Sequence, residues 1–231
     1  MSYEIVDNGD SALTVIFDNK LSEELTRKIM TFQHFVSNSL KEKVADIIPA
    51  YQSLTIILKP ETISKRELFN TLFERLSYPI QPFKYKSKLI EIPVCYELEY
   101  APDLAVLSNR CQLSEQQVIT IHSEKNYLVH MLGFLPGFLY LGGLDSRLNC
   151  PRKTIPATQV PQGSVAIGGQ QTGVYPVRSP GGWHIIGRTP LKLFNPKKEI
   201  PVIASPLDKV KFVPINRSEF VHLERLQEQD S

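Results

Sequence analysis

The sequence predicts an α+β sandwich domain followed by an all-β domain, a barrel or a sandwich, and three observations carry that reading. The first part of the chain has long helical and alternating apolar periods. Eleven of the twelve glycines fall between Gly133 and Gly187, and eleven of the seventeen prolines between Pro136 and Pro214. The apolar runs in that second part are short and bounded by turn residues, the pattern of closed or packed β architectures. At 231 residues, 42% hydrophobic and 22% charged, the chain suits one large or two small domains and needs no covalent staples.

Residues 3–17 read as two short strands about a turn at Asn8-Gly9. Leu25, Ile29, Phe32, Val36 and Leu40 fall on one face of a helix over 21–41, and Leu54, Ile56 and Leu58 alternate as a strand. A second helix starts at Ser64, with Glu67 completing a capping box and Leu68, Leu72, Phe73 and Leu76 on its apolar face. It stops at Ser77-Tyr78-Pro79, because proline restricts the residue before it. With a further strand near 87–95, this order predicts two helices on one face of a small sheet. Pro79–Lys88, with two prolines and three lysines, reads as a linker. A short helix starts at Ser114 with Gln117. Strand-like runs follow at Ser164–Ile167, Trp183–Ile186, Pro190–Phe194 and Val210–Pro214, and the tail from Ser218 is a terminal helix or frays. The expected domains are 1–85, 86–216 and a tail, 217–231.

The net charge of +2 is too small for a nucleic-acid binder. Cys95, Cys111 and Cys150 are odd in number and widely spaced, which argues against a disulfide framework or a zinc site and for a reducing compartment. The N-terminus lacks the features of a signal peptide. The longest uncharged apolar stretch, Asn126–Leu144, is broken by His130, Pro136 and four glycines, so no membrane span is expected and the cytoplasm is the expected location.

The small net charge conceals a basic middle. Between Asn126 and Lys198 eight cations face one acid, Asp145, while residues 1–125 sum to −3 and 199–231 to −2. From Thr154 to Gly187 the only formal charge is Arg178. A neutral stretch of Gly, Gln, Ser and Thr offers backbone N–H groups and hydroxyls for close approach to a ligand, and the nearby guanidinium groups make an anion the expected guest. Arg188, between Gly187 and Thr189, is the leading candidate for that role. P-loop, GxGxxG, HExxH and GxSxG patterns are absent, and the five histidines lack metal-ligand spacing.

Three long segments carry a resemblance. Met131-Leu-Gly-Phe-Leu-Pro-Gly-Phe-Leu-Tyr-Leu-Gly-Gly-Leu-Asp145, Val160-Pro-Gln-Gly-Ser-Val-Ala-Ile-Gly-Gly-Gln-Gln-Thr-Gly-Val-Tyr-Pro176 and Ser179-Pro-Gly-Gly-Trp-His-Ile-Ile-Gly-Arg-Thr-Pro190 are similar to signatures of one family, that of the 5-oxoprolinase B subunit, KipI and allophanate hydrolase subunit 1. The resemblance implies an N-terminal α/β domain and a cyclophilin-like β-barrel. It implies work with the 5-oxoprolinase C subunit (allophanate hydrolase subunit 2-like) and A subunit, using ATP to open 5-oxoproline to glutamate. Mg is expected alongside ATP, at a site shared with a partner. The alternative that the resemblance carries is a KipI-type inhibitor of a sensor histidine kinase. A prolyl isomerase is discounted, since the cyclophilin Phe-His-Arg run is missing. The sequence departs from the family at Tyr96–Leu104, where glycines are lost but Pro102, Asp103 and Leu104 stay. It departs again at Ala157, in place of a second arginine, and at Asn195 within Leu193-Phe-Asn-Pro196.

The site residues expected on these grounds are Arg188, His122 and Asp103 for chemistry. For substrate or nucleotide they are Pro136, Phe138, Tyr140, Gln171, Thr172, Tyr175, Ser179, Trp183 and Thr189. No metal ligands are expected. Histidine titrates near neutral pH and suits proton transfer, although a buried, satisfied histidine is the commoner outcome. The aromatic residues suit a pocket wall or a core.

Overall fold

The computed structural model describes residues 3–17, 20–59, 61–78 and 81–229. Its chain divides into two compact units, Met1–Lys86 and Ser87–Ser231. No helix among the described residues is long and apolar enough to cross a membrane.

The first unit contains β1 (Tyr3–Asp7), β2 (Ala12–Phe17), α1 (Glu23–Ser39), β3 (Val44–Pro49), β4 (Ser53–Leu58) and α2 (Lys65–Leu76). The strands form an antiparallel sheet in the order β1-β2-β4-β3. Gly9, at φ +68°, takes the left-handed conformation that the β1–β2 turn requires. Ser22 Oγ accepts from Leu25 N to start α1, and Ser64 and Glu67 form the complete capping box that starts α2. Leu13, Val15 and Phe17 alternate onto one sheet face with Leu54, Ile56 and Leu58. That face closes on Leu25, Ile29, Phe32 and Val36 of α1 and on Leu68 and Leu72 of α2, so both helices share one face. Three details differ from the sequence reading. The strand expected near 87–95 is not part of this sheet but of the second unit. β3 is an additional strand at the sheet edge. Phe73 points outward, 54% exposed and stacked on Phe69. Pro79 lies outside the described residues, and 81–88 has neither helix nor strand.

The second unit runs β5 (Leu89–Cys95), α3 (Leu104–Cys111), α4 (Glu115–Glu124), β6 (Asn126–Leu132), β7 (Leu139–Gly142), β8 (Ala157–Val160), β9 (Ser164–Gly168), β10 (Gln171–Val174), β11 (Ser179–Gly181), β12 (His184–Arg188), β13 (Lys209–Ile215) and α5 (Arg217–Gln229). Seven strands close a barrel in the order β10-β7-β6-β13-β5-β12-β9, and β8 and β11 pair separately. β13 lies parallel to β5 from Lys209↔Leu89 to Ile215↔Cys95; the other pairings are antiparallel.

This unit is a barrel with helices, which corrects the all-β expectation. Leu104 and Leu107 of α3 and Val118 and Ile121 of α4 join the core formed by Ile92, Val94, Val129, Leu139, Leu141, Val165, Ile167 and Phe212, so the barrel interior is completed by helices. The tail folds as α5, with Phe220 buried on Tyr100 at 4.3 Å between ring centroids. Residues 190–194 form no strand. Pro190 has no N–H to give a ladder, and the segment makes only an isolated bridge, Phe194 to Val202.

Phe32 is fully buried between the sheet and α1, edge-on to Phe17. Phe32→Ala should cost about 3–5 kcal/mol. Urea denaturation followed by far-UV circular dichroism measures this, and a loss below about 1 kcal/mol would show that the helix–sheet core is not sealed as described.

Candidate functional site

Strands β7, β9 and β12 are apolar on both faces. Leu139 and Leu141, Val165 and Ile167, and Ile186 turn into the barrel. Phe138 and Tyr140, Ala166, and Ile185 turn outward into a second cluster with Val160, Tyr175 and Trp183. The turn before β7 delivers its first ring: Leu135 N donates to Gly133 O, Phe138 N donates to Leu135 O, and Gly137 sits at φ +81°. Pro136 is exposed on that turn. Phe138 is buried and meets Tyr175 edge-on at 5.0 Å, Trp183 edge-on at 5.6 Å, and Tyr140 at 4.7 Å. Edge-to-face contacts of this kind place the positive ring edge on the negative ring face. Tyr140 is half-buried and reaches Trp183 at 6.0 Å.

Glycine makes this wall possible. A Cβ on Gly168 would collide with the Trp183 ring, and one on Gly181 with the Tyr175 hydroxyl oxygen. Burial raises the Tyr140 and Tyr175 hydroxyls above their ordinary pKa, so both keep their protons and remain donors. The Arg152 guanidinium lies over the Trp183 ring at 5.8 Å.

Asp103 stands before α3 without capping it. Its Oδ2 accepts from Ile185 N at 2.8 Å and pairs with Lys153 Nζ at 2.5 Å, while its own N donates to Ile185 O at 3.0 Å. Lys153 N donates to Gly182 O at 2.7 Å. The neighbouring His184 is buried. Its Nε2 lies 3.0 Å from Pro151 O, and a carbonyl can only accept, so Nε2 carries the proton. Asp103 therefore clasps the start of β12 to the Pro151–Lys153 segment.

His122 lies elsewhere, inside the barrel with no exposed surface. Thr172 Oγ1 donates to Ala166 O at 3.0 Å, so it accepts from His122 Nε2 at 2.9 Å; Nδ1 then accepts from the Tyr96 hydroxyl at 2.9 Å. The Tyr127 hydroxyl donates to His122 O at 2.8 Å, and the imidazole stacks on Phe212. Burial lowers the His122 pKa to about 3, so the ring is neutral, with both nitrogens engaged.

Arg188 occupies a third place. Its Nε donates to Gln162 O at 2.8 Å, a terminal nitrogen lies 3.7 Å from Glu224 of α5, and the guanidinium sits over Phe220 at 5.6 Å. Thr189 is buried, with Oγ1 accepting from Leu191 N. Ser179 pairs with Val160 across β11 and β8 and donates its hydroxyl to Pro180 O. Gln171 opens β10 opposite Gly168.

The structure thus gathers Phe138, Tyr140, Tyr175 and Trp183, with Asp103 at the edge of the group. It separates them from His122 and Thr172, inside the barrel, and from Arg188, beneath α5. Arg152, Lys153 and His184 were not among the site residues expected from sequence, although Arg152 and Lys153 belong to the basic middle of the chain and Pro151-Arg152 is similar to a family motif. Among the described residues no three His, Cys, Asp or Glu side chains gather to hold a metal ion.

His122 takes up a proton near pH 6.5 when unfolded but only near 3 when folded. The unfolded chain therefore binds more protons in between, and stability falls as pH drops through that window, by up to about 1.4 kcal/mol per pH unit. His122→Gln should flatten the stability-versus-pH curve between about pH 6 and 4.5 by close to that slope. Chemical denaturation across that range, with both proteins showing the same slope, would count against the assignment. Arg188→Ala should loosen α5, raising amide exchange over Arg217–Gln229 roughly 2- to 10-fold through loss of a cation–π contact and a part-exposed ion pair. Trp183 emission should stay unchanged. Unaltered exchange in α5 would show that Arg188 does not hold it.

Residues 3–204 match the family model "Carboxyltransferase domain, subdomain C and D". The B subunit of 5-oxoprolinase from Bacillus subtilis (strain 168) is 37% identical over 94% of this chain and 95% of its own length. Its counterpart of the same name from Escherichia coli O157:H7 is 45% identical over 74% of this chain and 78% of its own. The crystal structure of TTHA0988 is similar at TM-score 0.78 and 31% identity over 89% of this chain, which spans 40% of that longer protein. The chain belongs to the family of 5-oxoprolinase B subunits, within the carboxyltransferase subdomain C and D group.

Proposed function

We propose that this chain is the B subunit of an ATP-dependent 5-oxoprolinase, opening 5-oxoproline to L-glutamate in the cytoplasm together with the A and C subunits. The observation that carries this is the extent of the match to proteins of that name, which covers nearly the full length of both chains.

The substrate is a five-membered lactam bearing a carboxylate. Amide resonance makes its carbon a weak electrophile and its nitrogen a poor leaving group, so ring opening needs the amide oxygen activated. ATP supplies that activation when bound. Among the described residues, the helix N-termini leave no open cradle for a nucleotide's phosphates. Helix N-termini are the natural phosphate cradles, but here they are taken by the chain's own side chains. Ser22 caps α1, and Ser64 with Glu67 caps α2. Ser114 with Gln117 caps α4, and Asn216 with Glu219 caps α5. Before α3 stands a carboxylate, Asp103. We assign the nucleotide, with its Mg, to a site built mainly by a partner.

The residues of this chain bind and orient. The aromatic cluster is buried, and what this chain offers to the lactam and its carboxylate at the edge of that cluster is the ring of half-buried Tyr140 and the exposed Arg152. Phe134, 63% exposed, meets Phe138 edge-on at 5.8 Å and marks a solvent-facing side of the cluster. The C subunit would close that side and exclude water.

The test is 5-oxoproline-dependent ATP hydrolysis. The chain alone should show none, and its mixture with the matching A and C subunits should form glutamate. No turnover in any mixture of the folded proteins would overturn the reading.

A further inference from the structure

The cations between Arg147 and Arg188 differ in what takes up their donors. Lys153 is held by Asp103, Arg178 by Gln159, Arg147 by Asp145 and Arg188 by Gln162 and Glu224. Arg152 is exposed and lies over Trp183, and among the described residues no protein oxygen accepts from it.

Its backbone, by contrast, is fixed on both sides. Pro151 O accepts from His184, Lys153 N donates to Gly182 O, and Lys153 Nζ is drawn onto Asp103. One residue earlier, Cys150 N donates to Gly169 O and Cys150 O accepts from Gly169 N. The side chain with free donors therefore projects from a clamped segment. Its positive charge acts on both Tyr140 and Tyr175, opposing the effect of burial on their hydroxyls, which puts the guanidinium over the same rim.

We propose that Arg152 is the residue of this chain that binds the carboxylate of the substrate. The guanidinium, held against the Trp183 face, keeps N–H groups for a bidentate carboxylate, the geometry that arginine forks match. A small ring resting against the half-buried Tyr140 would present its carboxylate to that fork. The ligand class is a compact cyclic amide with one carboxylate, and Asp103 and His184 are positioning residues that hold the Arg152 backbone. This rests on the 5-oxoprolinase reading above.

The experiment compares wild type, Arg152→Gln and Arg152→Lys in the assembled enzyme. Arg152→Gln should raise KM for 5-oxoproline roughly 10- to 100-fold, the loss of a hydrogen-bonded charge contact. Its kcat should stay within about threefold, because the contact is made in the ground and transition states alike. Arg152→Lys should recover part of the loss. Inhibition by the neutral carboxamide of 5-oxoproline, which lacks the carboxylate, should be the same in wild type and Arg152→Gln. Trp183 is the only tryptophan of the chain, so its emission in the isolated chain reports directly that the wall is intact in each variant. Wild-type turnover with an unmoved KM in Arg152→Gln overturns this proposal and leaves the enzyme reading standing. A fall in kcat at constant KM overturns it as well. Absence of turnover in the wild-type assembly overturns the enzyme reading and this proposal with it.

Discussion

A barrel wall that is buried on both sides must be covered twice, and the second unit of this protein is organised by that constraint. Its strands β7, β9 and β12 send leucine, valine and isoleucine inward and Phe138, Tyr140, Ala166 and Ile185 outward. The outward layer cannot face water, so residues 150–163 and 175–183 build a cover, with the β8–β11 pair as its frame. Where rings press onto the wall, only glycine leaves room, as at Gly168 beneath Trp183 and Gly181 beneath the Tyr175 hydroxyl. These glycines therefore serve close packing rather than flexibility.

The same constraint explains the neutral stretch from Thr154 to Gly187. Read as sequence, it suggests loops that approach a ligand. In the structure, 163–168, 172–176 and 183–187 are buried throughout, and an unpaired charge there would be costly. Neutrality along most of this stretch is a consequence of burial, and the charged Arg152 lies in the exposed run that precedes it.

What could be read from sequence was what depends on near neighbours. The capping boxes at Ser64 and Ser114, the α1 stripe and the Gly9 turn involve residues at most a few helical turns apart, and each stands as expected. The β3 strand was illegible because an edge strand carries a mixed face, here Asp46 beside Ile47 and Ile48. α3 was illegible because Asp103, placed where a cap belongs, gives its carboxylate to Ile185 and Lys153 instead. Site residues were legible as types and not as partners. His122 finds Thr172 fifty positions away, and Arg188 finds Glu224 on a helix that sequence left undecided. Each proved to be tied into the fold by a contact that no local pattern announces.

The two arginines make the general point about inferring a site. Arg188 lies in one of the long recognisable motifs, yet its donors are taken by a carbonyl and a carboxylate of its own chain, and its face by Phe220. A guanidinium so engaged would have to break those contacts before receiving a substrate carboxylate, and the gain from the new pair would be reduced by the loss of the old. Arg152 has no such contacts to break. The chain holds its backbone with Asp103, His184 and Gly182, pairs the neighbouring cations with their own acceptors, and leaves its fork open above the one tryptophan. Motif membership marks what the fold needs; unused hydrogen-bonding capacity on a rigid support marks where something else is meant to bind.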